Sequence, residues 1–230
     1  MPRGRSRSTD PHRDRTGDLF NGGPACDPLC FERAARSSGF TRIAGLDEAG
    51  RGPLAGPVVA AAVVLPEGLL IPGLTDSKQV REAERDRLFD VVRDRAVCFG
   101  IGIVDERIID DVNILQATII AMERACEALA PQPDYLLLDA ITLPRVAIPQ
   151  KPLVRGDSRS HSIAAASILA KVTRDRLMLE LHEKHPQYNF RKHKGYGTRE
   201  HLALLQQYGP CAAHRKTFHP VSALLRGEVP

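Results

Sequence analysis

Two adjacent carboxylates, Asp47 and Glu48, close the apolar run at 43–46 and are followed at once by Gly50-Arg51-Gly52. Charge at the end of an otherwise buried strand is costly unless it is paired or holds a cation. Two further acids stand in similar settings: Asp139 ends the apolar run 135–138, and Asp157 lies in the turn RGDS. Carboxylates gathered at one place repel and take up protons unless a divalent cation neutralises them. An all-oxygen donor set suits Mg2+ or Mn2+ rather than Zn2+, and no His or Cys cluster competes for the assignment. Two such ions roughly 4 Å apart can activate water and stabilise the leaving oxygen in phosphodiester cleavage. Acids at strand ends also serve as plain caps, and Asp157 as a turn or helix-cap residue, so spacing alone leaves both uses open.

The elements that must position these acids follow from the apolar pattern. Residues 41–47 alternate and end in acid, which suits a strand; Gly50, Gly52, Pro53, Gly56 and Pro57 then break the chain, and 58–65 is small, β-branched and apolar, a second strand paired with the first. Thr75-Asp76-Ser77 offers capping side chains to a helix running to about 95, with one apolar face through Val80, Ala83, Leu88, Val91 and Val92. A third strand at 98–104 and a helix at 113–129 follow. Residues 135–139, YLLLD, have no alternation, as expected of a strand covered on both faces. Residues 146–154, with Pro149 and Pro152, fit only an edge strand. A short helix at 27–38, a long one at 162–185, a basic aromatic loop at 187–196 and a helix capped by Thr198 and closed by Gly209 complete the pattern. The expected architecture is α/β, a mixed sheet of about five strands flanked by helices with a C-terminal helical region. Functional groups would collect outside the strand ends. In the long helix Asp175 sits one turn from Lys171 and beside Arg174 and Arg176, and reads as a structural ion pair.

Composition sets the bounds. The 230 residues fit one domain with a tail: 1–27, rich in Arg, Ser, Gly and Pro, is expected to be disordered, and 28–230 to form the folded domain with its C-terminal helices. No segment approaches the ~20 apolar residues that span a bilayer, and there is no secretory h-region, so a cytoplasmic protein is expected. Five scattered cysteines lack zinc spacing and read as reduced thiols. Lys plus Arg number 32 against 28 Asp plus Glu, but the excess is concentrated: 1–15 holds five Arg against two Asp, and 184–216 holds seven Lys or Arg against one Glu. A basic block in an otherwise acidic chain suggests a polyanion partner.

The segments GLDEAGRGPLAGPVVAAAV, LTDSKQ, NILQATIIAM, LLLDA, RGDSRSHSIAAASILAKVTRDRLM, KHKGYGTREH and HRKTFHPV, spread over 43–221, resemble ribonuclease HII, the type 2 ribonuclease H family, in its own order. The resemblance implies an RNase H-like fold and an endonuclease that cuts RNA in RNA-DNA hybrids and single ribonucleotides embedded in duplex DNA. It implies cutting on the 5′ side, leaving a 3′-hydroxyl and a 5′-phosphate, with two Mn2+ or Mg2+ ions in the reacting complex. Asp47, Glu48, Asp139 and Asp157 match the family's metal-binding acids. Gly50, Arg51 and Gly52 match the turn taken to read the 2′-hydroxyl, and Tyr196 matches the tyrosine that packs on the following sugar. Lys192, His193 and Lys194, with Ser77, Lys78, His214 and Arg215, are the expected backbone contacts of the nucleic acid. No obligate protein partner is expected, and the chain should act as a monomer. Ala140 departs from the family's glycine after the strand-ending acid; a positive φ there would strain the turn by ~1 kcal/mol. The alternatives are a ribonuclease HIII-like hybrid nuclease and a non-catalytic hybrid-binding module. DEAGRG and a leader of about 40 residues, too short for the extra N-terminal domain of ribonuclease HIII, argue against the first. The four intact acids argue against the second.

Overall fold

The computed structural model describes residues 27–228; residues 1–26 of the tail expected to be disordered, Cys26 among them, lie outside the described residues. Five strands form one mixed sheet in the order β3-β2-β1-β4-β5. They are β1 (Ile43–Ala49), β2 (Val58–Val64), β3 (Cys98–Val104), β4 (Tyr135–Asp139) and β5 (Gln150–Leu153). The first three make an antiparallel meander, while β4 pairs parallel to β1, and β5 parallel to β4. β5 lies at the edge, which tolerates Pro152.

The helices are α1 (Cys30–Ser37), α2 (Glu82–Arg95), α3 (Glu106–Val112), α4 (Ile114–Glu127), α5 (His161–Lys184), α6 (Phe190–His193), α7 (Arg199–Tyr208) and α8 (Val221–Leu225). On one face α4 packs on Ala44, Leu46, Ala60, Ala62, Leu136 and Leu138 through Ala117, Ala121, Met122 and Ala125. On the other, α2 and α5 cover Ala61 and Val63 with Leu88, Val92, Ala165, Ile168 and Leu169. β1, β2 and β4 therefore have both faces covered and carry few polar residues before their ends. Each fully buried Leu, such as Leu138, contributes about 2 kcal/mol. The small residues at the start of α5 let it cross β1 closely: a Cβ on Gly45 would lie 2.1 Å from the Ser162 carbonyl carbon.

Three elements depart from the sequence pattern. The helix expected from Thr75 begins only at Glu82. The Ser77 hydroxyl is bonded to Ser167 Oγ on α5 at 2.7 Å, and Asp76 accepts from the Lys78 N–H, so 75–80 form a turn pinned to α5 rather than a first helical turn. A separate helix, α3, precedes α4; Asp105 caps it, accepting from the Ile108 N–H, and Asn113 caps α4. β1 runs two residues further than expected, because Glu48 and Ala49 pair with Ala60 and Val59, while Asp134 takes the backbone N–H groups of Thr41 and Arg42.

Candidate active site

Parallel pairing of Leu46 with Leu138 brings the following residues, Asp47 and Asp139, to adjacent strand ends, about 5 Å apart across the ladder. The Asp139 carboxylate accepts from the Gly156 N–H at 2.7 Å, which ties β4 to the turn holding the buried Asp157. Asp47 is buried and accepts from the Glu48 N–H at 2.7 Å. One Glu48 oxygen accepts from Arg51 at 3.2 Å; the other, Oε2, is buried without a hydrogen-bond partner.

These acids act on one another. Burial, then the charges of Glu48, Asp139 and Asp157, push the Asp47 carboxyl well above the usual range. Burial raises Glu48 too, against the opposing pull of Arg51. Asp157 is raised by burial and by Asp76 and Asp139, with Lys78 opposing. Burial works to lower the Lys78 ammonium, but the charges of Asp76, Asp47, Asp157 and Asp139 outweigh it and hold it above its ordinary value. Lys78 is thus the counter-charge of the cluster, and Asp76, which the sequence suggested only as a cap, is a fifth acid beside it.

The donor set fits a hard divalent cation. It is all carboxylate, it includes the orphaned Glu48 Oε2, and its mutual repulsion is what a cation relieves. As the side chains stand, no three His, Cys, Asp or Glu among the described residues are gathered into a metal-holding group. Asp47, Glu48 and Asp139 each commit one oxygen to an internal hydrogen bond and keep the other for a cation.

An open cleft of about 190 Å³ joins Asp47 and Glu48 to Gly50, Arg51, Gly52, Ser77, Lys78, Lys171 and Tyr196. Gly50 sits at φ +97°, and a Cβ there would lie 2.0 Å from Nε of Arg174, so both conformation and space demand glycine. Tyr196 is 42% exposed, with the Arg174 guanidinium 6.0 Å from its ring centroid. Ala140 adopts φ +55°, the strained turn that the missing glycine implied.

Several expected nucleic-acid contacts are placed elsewhere. Lys192 is at the surface, paired with Glu200 at 2.6 Å. Lys194 turns its ammonium to the Arg191 carbonyl at 2.6 Å and to Glu82 at 3.7 Å. His193 is buried, donating from Nε2 to the Tyr188 carbonyl at 2.7 Å. His214 and Arg215 are fully buried. The structure thus places His193, His214 and Arg215 beneath the surface, where sequence proximity to basic residues suggested phosphate contacts.

The buried histidines have a defined hydrogen-bond order. His201 Nδ1 donates to the Tyr196 carbonyl at 2.9 Å, so its Nε2 accepts from His214 Nε2 at 3.1 Å, and His214 Nδ1 accepts from the Cys211 N–H at 3.0 Å. His193 stacks on His201 with ring centroids 4.3 Å apart. Asp175 forms the expected ion pair, to Lys171 at 2.7 Å, with Arg85 on α2 as a partner at 3.6 Å. Arg176 instead reaches Asp86, and Arg174 binds only carbonyls. Lys171 was not expected at the cleft, nor the buried Arg174 packed behind Gly50 and Tyr196. Their signal was the helical stripe Lys171, Arg174, Met178, two cations on a face that is otherwise buried.

Residues 44–221 match the family model described as Ribonuclease HII. The chain is 56% identical over 190 residues to the ribonuclease HII of Ruminiclostridium cellulolyticum, covering 83% of this chain and 74% of that protein. It is 52% identical over 200 residues to that of Geotalea uraniireducens, covering 87% and 93%. Among solved structures, the crystal structure of ribonuclease H2 from Pyrococcus horikoshii superposes with a TM-score of 0.68 at 26% identity, over 81% of this chain and 98% of that one.

Proposed function

The chain belongs to the ribonuclease HII family, and from that membership we propose that it cuts on the 5′ side of single ribonucleotides embedded in duplex DNA, as well as within RNA-DNA hybrids. It is a ribonuclease H-type nuclease with the RNase H-like fold, of a family that acts on RNA-DNA substrates and depends on divalent metal. The products of the proposed cut are a 3′-hydroxyl and a 5′-phosphate, which makes the enzyme an initiator of ribonucleotide excision.

Asp47, Glu48, Asp139 and Asp157 would hold the cations, Mn2+ or Mg2+, two in the reacting complex. When bound, such ions supply Lewis-acid polarisation of the phosphate and activation of the attacking water. Water adds to phosphorus, the bond to the upstream 3′ oxygen breaks, and that oxygen ends as the 3′-hydroxyl with the proton the water gives up. Lys78, kept protonated by the acids around it, draws the phosphate to the cleft. The 50–52 turn approaches the ribose closely because two of its three residues lack side chains, and the 2′-hydroxyl is the group that separates RNA from DNA there. Tyr196 packs on the following sugar. Among the described residues no helix is long and apolar enough to cross a membrane; a cytoplasmic enzyme acting as a monomer accords with this reading.

The observation that carries the proposal is the single cleft shared by Asp47, Glu48, the 50–52 turn and Tyr196. It lets one bound nucleotide meet both the cutting groups and the sugar-reading groups. Asp47→Asn should lower cleavage of a duplex with one ribonucleotide by at least about a thousandfold in saturating Mn2+. Full activity in that variant would overturn the mechanism.

A further inference from the structure

Arg215 and Arg174 are 0% and 1% exposed, and their guanidinium groups make seven hydrogen bonds, all to backbone carbonyls and none to an acid. Arg215 donates to the carbonyls of Gly50 at 2.6 Å, Arg51 at 2.9 Å and Gly56 at 3.0 Å. Arg174 donates to those of Pro57 at 3.0 Å, Lys194 at 3.0 Å and Ala55 at 3.1 Å. Burial lowers Arg174 to about 10 and Arg215 to about 9, so both remain charged at neutral pH. Burying two cations that answer no carboxylate directly is expensive. Five of their six acceptors lie in the 50–57 turn, and the sixth, Lys194, is two residues from Tyr196.

The direction of these bonds has a geometric consequence. A peptide unit is planar and trans, so a C=O and the N–H that follows it point opposite ways. With the Gly50 and Arg51 carbonyls drawn inward to Arg215, the N–H groups of Arg51 and Gly52 face outward. Among the described residues neither N–H has a hydrogen-bond acceptor. Both residues line the cleft beside Asp47 and Glu48.

We propose that Arg215 is a positioning residue for ribose recognition: by holding the Gly50 and Arg51 carbonyls from below, it aims the N–H groups of Arg51 and Gly52 into the cleft as fixed donors to the ribonucleotide's oxygens. The inference rests on the reading of the 50–52 turn as the ribose reader. Arg174 fixes the far end of the same turn and joins it to the loop of Tyr196. A lysine cannot substitute, because one ammonium lacks the planar fork that spans three carbonyls.

The test is binding without cleavage, in Ca2+, of two duplexes of one sequence, with and without a single ribonucleotide. The full-length wild type sets the ratio of the two affinities. Arg215→Lys should lower that ratio roughly tenfold, the loss expected of one well-made hydrogen bond to the sugar, while affinity for the all-DNA duplex serves as the reference. Gly52→Ala separates the two ideas, since its Cβ would meet nothing nearer than Tyr196 Cε1 at 3.9 Å and the fold should accept it. If Gly52→Ala keeps the wild-type ratio, the ribose-reader reading fails and this inference falls with it. If Gly52→Ala loses the ratio and Arg215→Lys keeps it, the positioning role alone is overturned. Should Arg215→Lys not fold, amide hydrogen exchange on the wild type decides: the Arg51 and Gly52 amides should exchange fast in the free protein and slow only with the ribonucleotide duplex. Equal protection by both duplexes, or by neither, overturns the proposal.

Discussion

Acid should destabilise this protein through the His201–His214 pair. Their rings are 0% and 1% exposed, and burial, with each neighbouring imidazole adding to it, lowers both to about 4. An unfolded histidine titrates near 6.5. Because the folded value is the lower one, the stability that the pair contributes is fully present above pH 6.5 and is lost as pH falls from there towards 4. At pH 5 an unfolded ring is nearly all protonated while the folded ring is about one-tenth protonated, a difference of about 2 kcal/mol per ring. The two rings together approach ~4 kcal/mol, and for a chain of this size that is a fall in Tm of roughly 8–16 °C. His193, stacked on His201 and also lowered by burial, adds in the same direction. The raised acids Asp47, Glu48 and Asp157 work the other way, since the folded state takes up their protons first. The assay is therefore a comparison: thermal unfolding at pH 7.5 and pH 5 for the wild type and for His201→Gln/His214→Gln, metal-free. The double variant should be less stable at pH 7.5 but lose several degrees fewer on acidification. Parallel losses in the two proteins would refute the assignment of neutral, buried rings.

Three further outcomes are expected. Ala140→Gly should raise stability by about 0.5–1 kcal/mol, read as a rise in Tm, because it relieves a left-handed alanine at φ +55°. Gly50→Ala should cost about 2–4 kcal/mol in urea unfolding, since it combines φ +97° with a collision against the buried Arg174; an unchanged midpoint would show that the turn yields easily. Tyr196→Ala should lower cutting at a single ribonucleotide more than cutting in a long RNA-DNA hybrid, about tenfold against twofold or less in kcat/KM. Equal losses would remove Tyr196 from sugar recognition.

Much of this molecule was legible in its sequence because strand interiors and strand ends have opposite chemistry. Apolar runs broken by Asp47-Glu48 and by Asp139 marked both the strands and the acids, and helices were marked at 113–129 and 162–185. Local chemistry is enough for such features, since each residue's setting is decided by neighbours within a turn or a strand. The start of α2 was misread for a non-local reason: Ser77 answers Ser167, 90 residues away, instead of the helix. The same limit explains His193, His214 and Arg215. A basic residue near other basic residues reads as a surface contact, and only tertiary packing shows Arg215 inserted beneath a turn 165 residues earlier in the chain. The sequence by itself determined the acid pairs, the glycine turn and the strands that end beside them. The parallel register that sets Asp47 beside Asp139, and the buried guanidinium groups that hold the turn open to the cleft, were decided by long-range pairing and burial, which no local pattern encodes.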